Sequence, residues 1–181
     1  MSIAAGSYRL GPDNGTLSVR TRKGGAASKA GHNLLIEVAA WSATLVVGEQ
    51  SAVELIADSG SLRVLEGSGG MSSLGEDEKA GIAQTIAEEV LNGCAIAFHS
   101  TGVQAGPGSE RLTVSGELEL ASAKRPISFE LIVDDAGHLV GSAVVKQTDH
   151  GMKPYSALFG TLKVLDEVTI EVEATLPEGQ V

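Results

Sequence analysis

The feature that most constrains this chain is an alternation of apolar and polar side chains with a period of two residues, which recurs from about Ile96 to the C-terminus. One run has apolar residues at Leu112, Val114, Leu118 and Leu120, and another has them at Val168, Ile170 and Val172. Successive side chains of a strand point to opposite faces of a sheet, so each run predicts a strand with one buried and one wet face. A long meandering sheet must protect its edges, and closure into a barrel is the usual solution. The pattern therefore predicts a mainly β fold that encloses an interior.

Further strands are expected on both sides of one helix. The predicted strands cover residues 34–39, 41–47, 53–57, 61–66, 96–103, 111–120, 127–133, 139–146, 157–164 and 168–174. The helix is predicted over about residues 76–91, because Ile82, Ile86 and Val90 recur at four-residue spacing and Asn92-Gly93 supplies a stop. We expect this helix to cover the wall or one end of the barrel, within a single domain of residues 1–181.

Composition limits what the interior can contain and what the surface can bind. Aromatic residues make up 3% of the chain, so the core must be built from Ala, Val, Leu and Ile. Small inward side chains leave volume unfilled, although a narrow and tightly packed barrel is equally compatible with them. The net charge of -10 disfavours nucleic acid and anionic membrane surfaces.

No stretch approaches the roughly 20 apolar residues of a membrane span, so stable membrane insertion is not expected. The first residues lack the charged and apolar regions of a secretory signal, which predicts a cytoplasmic location.

Two clusters are candidates for binding a polar group. Lys29 and His32 lead directly into an apolar strand that begins near Leu34, which would place a cation and an imidazole at the mouth of a barrel. A histidine bonded to nearby backbone is the simpler interpretation of His32. The second cluster, Asp149 to Tyr155, is bracketed by Gly and Pro and contains His150, Lys153 and Tyr155. Such a loop can bind an anionic head group or can equally serve as a well-packed corner.

Signals for catalysis are weak. The chain lacks a G-x-S-x-G elbow and the glycine-rich loops that cradle phosphates. The four histidines do not lie three to five residues from one another, so the sequence offers no local spacing for metal ligands. We therefore predict a protein that is not an enzyme and needs no cofactor.

Several motifs, taken in order, resemble the YceI-like family of lipid-binding proteins, also called polyisoprenoid-binding proteins. Tyr8-Arg9-Leu10 opens the domain, and Gly31-His32-Asn33-Leu34 follows. Residues 96–101 are similar to the family's I-x-F-x-S-T strand, and residues 114–127 to its G-x-L…K-P-V hairpin. Asp149-His150-Gly151-Met152 resembles the D-F-G-M corner, with His150 where Phe is usual, and Gln147 stands where Arg is common.

The resemblance implies a lipocalin-like, eight-stranded antiparallel β-barrel with one helix, whose lumen holds a long isoprenoid or another lipid-like amphiphile. In such a protein, Lys29, His32 and Lys153 would meet the head group. The hydrophobic contacts expected along the chain of the ligand are Trp41, Phe98, Met152 and Phe159, with Leu34 and Tyr155 beside them. Two alternatives stay open. One is a filled barrel that acts through protein contacts as a stress-related factor or an oligomer subunit, for example in a homodimer. The other is a metal-dependent enzyme using His32 and His150.

Overall fold

The chain folds around antiparallel strands and one helix in a computed structural model that describes residues 3–108 and 110–178. The first seven strands are β1 (Gly6–Leu10), β2 (Gly15–Thr21), β3 (Lys23–Gly24), β4 (Asn33–Val38), β5 (Trp41–Val47), β6 (Ala52–Ala57) and β7 (Leu62–Ser68). After helix α1 (Glu76–Thr85) come β8 (Ile96–Ala105), β9 (Arg111–Leu120), β10 (Ala123–Val133), β11 (His138–Lys146), β12 (Ser156–Ala157), β13 (Leu162–Val164) and β14 (Glu167–Thr175). The predicted mainly β fold with one helix is confirmed.

Eleven strands form one antiparallel sheet in the order β1-β5-β6-β8-β9-β10-β11-β14-β2-β4-β7. The sheet curls strongly, since side chains from ten of its strands surround a single interior cavity. The inward faces are the predicted apolar ones. In β9, for example, Leu112, Val114, Leu118 and Leu120 are buried, whereas Thr113 and Glu117 are exposed.

The sheet is a large curled one and not a clear eight-stranded barrel, which corrects the expectation drawn from the resemblance. Two long stretches of chain bend sharply, at residues 39–40 and 58–61, and each bend divides what would be one long strand into two. The bends are tied to each other, because the Ala39 N–H donates to the Ser61 carbonyl and the Asp58 N–H donates to the Ala40 carbonyl, each at 3.0 Å. Period-two alternation reports which face is buried and carries no information about where a strand bends.

A second sheet of three short strands, ordered β12-β13-β3, lies beside the large one. The single strand predicted over residues 157–164 is wrong. Residues 158–160 form a tight turn in which Leu158 has φ 52°, Phe159 φ 57° and Gly160 φ 82°. Three consecutive residues with positive φ reverse the chain, so β12 and β13 pair as a hairpin, with Ser156 opposite Lys163.

Helix α1 continues through one wide turn, Ile86–Val90, in which the Leu91 N–H donates to the Ile86 carbonyl at 2.9 Å. The chain then leaves the helix at Asn92 (φ 53°) and Gly93 (φ 64°), as the predicted Asn-Gly stop requires. The helix packs against β7, and within the described ranges no helix has the length and apolar character needed to cross a bilayer.

Candidate functional site: a cavity between helix and sheet

The centre of the curled sheet is almost filled by the protein's own side chains. Leu45, Leu112, Val114 and Leu139 are each at most 2% exposed, and the Phe98 ring packs against Phe129 with centroids 5.3 Å apart. The space left among them is an apolar cavity of about 140 Å³. An apolar cavity of roughly 150 Å³ typically stays dry and admits a guest no larger than benzene. This central region cannot hold a long chain without rearrangement.

A second cavity, of about 640 Å³, lies between the sheet and helix α1. The wall on the helix side contains Ile82, Ile86, Val90 and Leu91, the stripe that predicted the helix. The walls on the strand side contain Val19, Leu34, Ile36, Val168 and Ile170 from the large sheet and Leu162 and Val164 from the small one. Its volume lies within the range of roughly 300–1,000 Å³ that is usual for small-molecule sites, and most of its lining is apolar.

The two cavities adjoin each other. Val19, Val38, Ile96, Leu120 and Ile170 line both of them. A guest in the larger cavity would therefore contact the same ring of side chains that caps the smaller one. The apolar interior thus has a wide compartment under the helix and a narrow one inside the sheet.

The mouth of the larger cavity is marked by lining residues that are also exposed to solvent, among them Glu78, Tyr155 and Lys163. His32 lies at the same mouth, where its Nε2 is 2.5 Å from the Ser72 carbonyl oxygen. The ammonium group of Lys23 donates to the Gly69 carbonyl. Residues 69–72 are thereby held over the start of β4, and the mouth combines two cations, the Glu78 carboxylate, an imidazole and a phenol.

Two buried polar side chains face the otherwise apolar interior. Thr21 is 8% exposed, and its hydroxyl has no hydrogen-bond partner among the described residues. Gln147 is 6% exposed, and its side-chain N–H donates to the Leu165 carbonyl at 3.1 Å. A buried hydroxyl without a partner is costly to the folded protein. A guest with a polar atom at this depth would relieve that cost.

The corner of residues 147–150 is held by Asp166. The Asp166 carboxylate accepts the Thr148 hydroxyl at 2.6 Å and the Thr148 N–H at 2.8 Å. These two hydrogen bonds, the hydroxyl first, lower the pKa of Asp166 below its ordinary value of 3.8. The corner in turn places Gln147 and Met152 in the wall of the larger cavity.

His150 lies at this corner but not at a mouth. It is 2% exposed, and its Nε2 is 3.1 Å from the Leu118 carbonyl oxygen, so Nε2 carries a proton and donates it to that carbonyl. The ring takes the buried place that the family commonly gives to Phe. The alternative of a well-packed corner therefore describes His150 better than a head-group contact does.

The other residues singled out from the sequence are distributed over three places. His32, Leu34, Met152 and Tyr155 line the larger cavity, and Phe98 lines the smaller one. Trp41 is buried in the core without lining either cavity. Lys29 and Lys153 are exposed and line neither cavity, and Phe159 is 109% exposed at the tip of the β12–β13 hairpin.

Sequence reasoning did not assign six polar residues to the larger cavity, namely Thr21, Lys23, Glu78, Thr85, Gln147 and Lys163. Lys23 belongs to the densest basic group of the sequence, Arg20 to Lys23, and that cluster was the available signal. Lys163 comes to the mouth because it pairs with Gly24 across β13 and β3. A contact between residues 139 positions apart leaves no local signal.

Within residues 3–108 and 110–178, no three His, Cys, Asp or Glu side chains come close enough together to hold a metal ion. His32 bonds to the backbone of the loop over the mouth, whereas His150 bonds to β9. The two histidines of the metal-enzyme alternative therefore have separate environments.

The described residues thus form a curled antiparallel sheet with an apolar cavity between the sheet and a helix. Residues 89–176 match the YceI-like domain. The resemblance read from the motifs is thus confirmed over residues 89–176, just under half of the chain.

Solved structures agree with this fold. BcnA of Burkholderia cenocepacia is similar with a TM-score of 0.62 and 13% identity, over 88% of this chain and 94% of that one. The YceI protein of Campylobacter jejuni is similar with a TM-score of 0.52 and 11% identity, over 80% of this chain and 85% of that one. At these identities the likeness is one of fold alone. The chain matches none of the curated proteins at a significant level.

Proposed function

We propose that this protein binds and carries a hydrophobic, isoprenoid- or lipid-like molecule in the cavity between helix α1 and the sheet. The observation that supports this most is the 640 Å³ volume itself, which is walled mainly by apolar side chains and opens to solvent at one rim. The match of residues 89–176 to a family associated with such ligands supports the same function. The proposal needs no catalytic group, and the predicted cytoplasmic location stays a prediction.

Burial of the ligand chain is sufficient to drive binding. Each buried methylene contributes about 0.8 kcal/mol, so ten carbons contribute roughly 8 kcal/mol before the cost of ordering ligand and protein. The apolar helix and strand walls of the cavity provide the surface that such a ligand chain would contact. The strand wall that such a chain would contact is formed mainly by β2, β4 and β14.

The polar end of the ligand would lie at the mouth, beside Lys23, His32 and Lys163. An ammonium group and an imidazole suit a phosphate or carboxylate. The exposed Lys29 and Lys153 would add to the local positive potential without touching the guest. Tyr155 would contact the first carbons of the chain at the rim.

Native mass spectrometry of the full chain mixed with geranylgeraniol, geranylgeranyl phosphate or palmitate tests the proposal. We expect one added ligand per chain, with the charged amphiphiles retained better than the alcohol. Ile86→Trp places a bulky ring in the cavity and should abolish the adduct. The matched control is Ile56→Trp, because Ile56 is 63% exposed and lines neither cavity.

Two results would reject the proposal. One is a spectrum that shows only the unliganded mass with every amphiphile. The other is an equal loss of the adduct in both tryptophan variants, which would locate any binding elsewhere. The first result would favour a filled barrel acting through protein contacts, an alternative that the tightly packed central region supports.

A further inference from the structure

The β12–β13 hairpin carries exposed apolar side chains that the fold does not use. Leu158 is 58% exposed and Phe159 is 109% exposed. Both residues have positive φ, a backbone conformation that side chains with a Cβ adopt only at a cost in free energy. Packing within the chain does not explain the exposure or the strain, because Phe159 buries nothing and Leu158 buries less than half of its surface.

The same part of the molecule is strongly basic. The small sheet and its flanks, residues 22–33 and 150–165, contain Arg22, Lys23, Lys29, Lys153 and Lys163 and no acidic residue. The two segments are joined through the pairing of β3 with β13 and through the Leu165 N–H, which donates to the Arg22 carbonyl at 2.8 Å. The remainder of the chain contains all 23 acidic residues and only eight cations. These two segments are thus rich in cations, although Asp149 and Asp166 adjoin them and Arg22 lies 4.0 Å from Glu167, and we call residues 22–33 and 150–165 together the basic end.

The basic end also borders the mouth of the larger cavity. Lys23, His32, Tyr155 and Lys163 line that cavity and belong to the basic end. Exposed apolar side chains on an element that also carries cations, in a protein that is otherwise acidic, match the interfacial region of an anionic bilayer. Phosphates meet the cations there, and the acyl boundary accepts the apolar tip.

We propose that the basic end docks this protein on an anionic lipid surface, with Leu158 and Phe159 entering the headgroup boundary. In this orientation the acidic remainder points away from the membrane, and the mouth of the cavity faces the lipids. A hydrophobic guest then moves between bilayer and cavity without crossing water. The global charge of -10 argued against such a surface, but the local excess of cations reverses that inference for this end.

Sedimentation of the full chain with phosphatidylcholine vesicles, with and without phosphatidylglycerol, tests the docking. We expect partition into the anionic vesicles only, weakened by added salt. Leu158→Asn combined with Phe159→Asn keeps residues that tolerate the left-handed backbone and should reduce partition at least about tenfold. Lys29→Glu combined with Lys153→Glu should also reduce partition at least about tenfold, since each surface cation contributes about fivefold.

Two matched controls separate docking from general effects on charge and hydrophobicity. Ile56→Thr combined with Val144→Thr removes two apolar side chains that are each 63% exposed on the large sheet. Arg9→Glu combined with Arg111→Glu reverses two cations outside the basic end. Both control variants should bind vesicles as the parent chain does, within about twofold.

Failure of the docking can be told apart from failure of the proposed function, because the vesicle experiment uses the protein without an added guest. Absence of partition into either vesicle overturns the docking even if native mass spectrometry shows a bound amphiphile. Equal losses of vesicle binding in the test and control variants would also overturn the docking. A dimer in solution that disappears with Leu158→Asn and Phe159→Asn, with no binding to vesicles, would instead identify the hairpin as a contact between two copies of this chain.

Discussion

The two compartments of the interior differ in how completely the protein fills them. In the centre of the curled sheet, inward side chains from opposite walls meet, and Val114 is 0% exposed in a region whose free volume is about 140 Å³. Under helix α1, none of the helix residues is buried, and about 640 Å³ is free. One compartment therefore holds the fold together, and the other is available to a guest. The difference shows that an alternating sheet can be both a packed core and a container.

The first test of this difference in packing is to truncate one leucine in each compartment. Leu139→Ala removes a side chain that is 1% exposed and should lower the free energy of unfolding by about 3–5 kcal/mol. Leu34→Ala removes a half-buried side chain that already faces free volume, and we expect a loss of about 1–2 kcal/mol. Urea unfolding followed by circular dichroism measures both values. Equal losses would mean that the two compartments are packed alike.

Glycine substitutions give a second contrast. Here the change in the free energy of unfolding should have opposite signs at the two sites. A Cβ at Gly116 would lie 2.6 Å from the Phe98 ring and against the His99 carbonyl, so Gly116→Ala should destabilise by about 1–3 kcal/mol. A Cβ at Gly81 meets open space in the middle of α1, and Gly81→Ala should stabilise by about 0.5–1 kcal/mol. Thermal unfolding of the two variants side by side is the check. A stabilised Gly116→Ala would show that the centre of the sheet is looser than described.

The buried hydroxyl of Thr21 gives a third test, which concerns the larger cavity alone. Thr21→Val replaces this unpartnered group with a methyl group and should stabilise the guest-free protein by up to about 1 kcal/mol. The same change should weaken retention of a guest that places a polar atom beside Thr21. Chemical unfolding and native mass spectrometry of one preparation give both readings. A destabilised variant would show that the hydroxyl is satisfied in solution.

The smallest effect concerns the corner that positions Gln147 and Met152. Because the pKa of Asp166 is lowered by the hydrogen bonds from Thr148, its ionised form stabilises the fold above pH 3.8, and that contribution is lost as the pH falls through the lowered pKa. Asp166→Asn should therefore make stability less dependent on pH below 3.8 than it is in the parent chain. Unfolding midpoints measured across the acid range test this. Parallel pH profiles in the two proteins would show that ionised Asp166 does not stabilise the fold in this way.

The sequence predicted the strands best where alternation is long and uninterrupted. Residues 41–47 and 111–120 were predicted to the residue, since each run has one clear buried face and a turn on either side. It failed at residues 157–164, because the left-handed turn at Leu158 and Phe159 uses residue types that carry no turn signal. The breaks near residues 39–40 and 58–61 were predicted as strand ends, but the hydrogen bonds that tie the two corners together were not.

The candidate site was predictable only in part. His32, Leu34, Met152 and Tyr155 could be singled out because they flank strand ends or belong to a recognisable motif. The helix was expected to cover the sheet, but the cavity left beneath it and the arrival of Lys163 at the mouth depend on tertiary packing that local patterns do not encode. His150 is buried because it occupies a core position. A histidine in a predicted loop gives no local signal for such burial.

The most direct test of the account is photo-crosslinking with a prenyl alcohol that carries a diazirine at the end of its chain. Peptide mapping should place saturable labelling on residues 74–91, which form helix α1 and its flanks, or on β13. An excess of unlabelled geranylgeraniol should remove that labelling. Labelling confined to the outer faces of the strands, or labelling that competitor does not reduce, would contradict the claim that the space under the helix receives the guest.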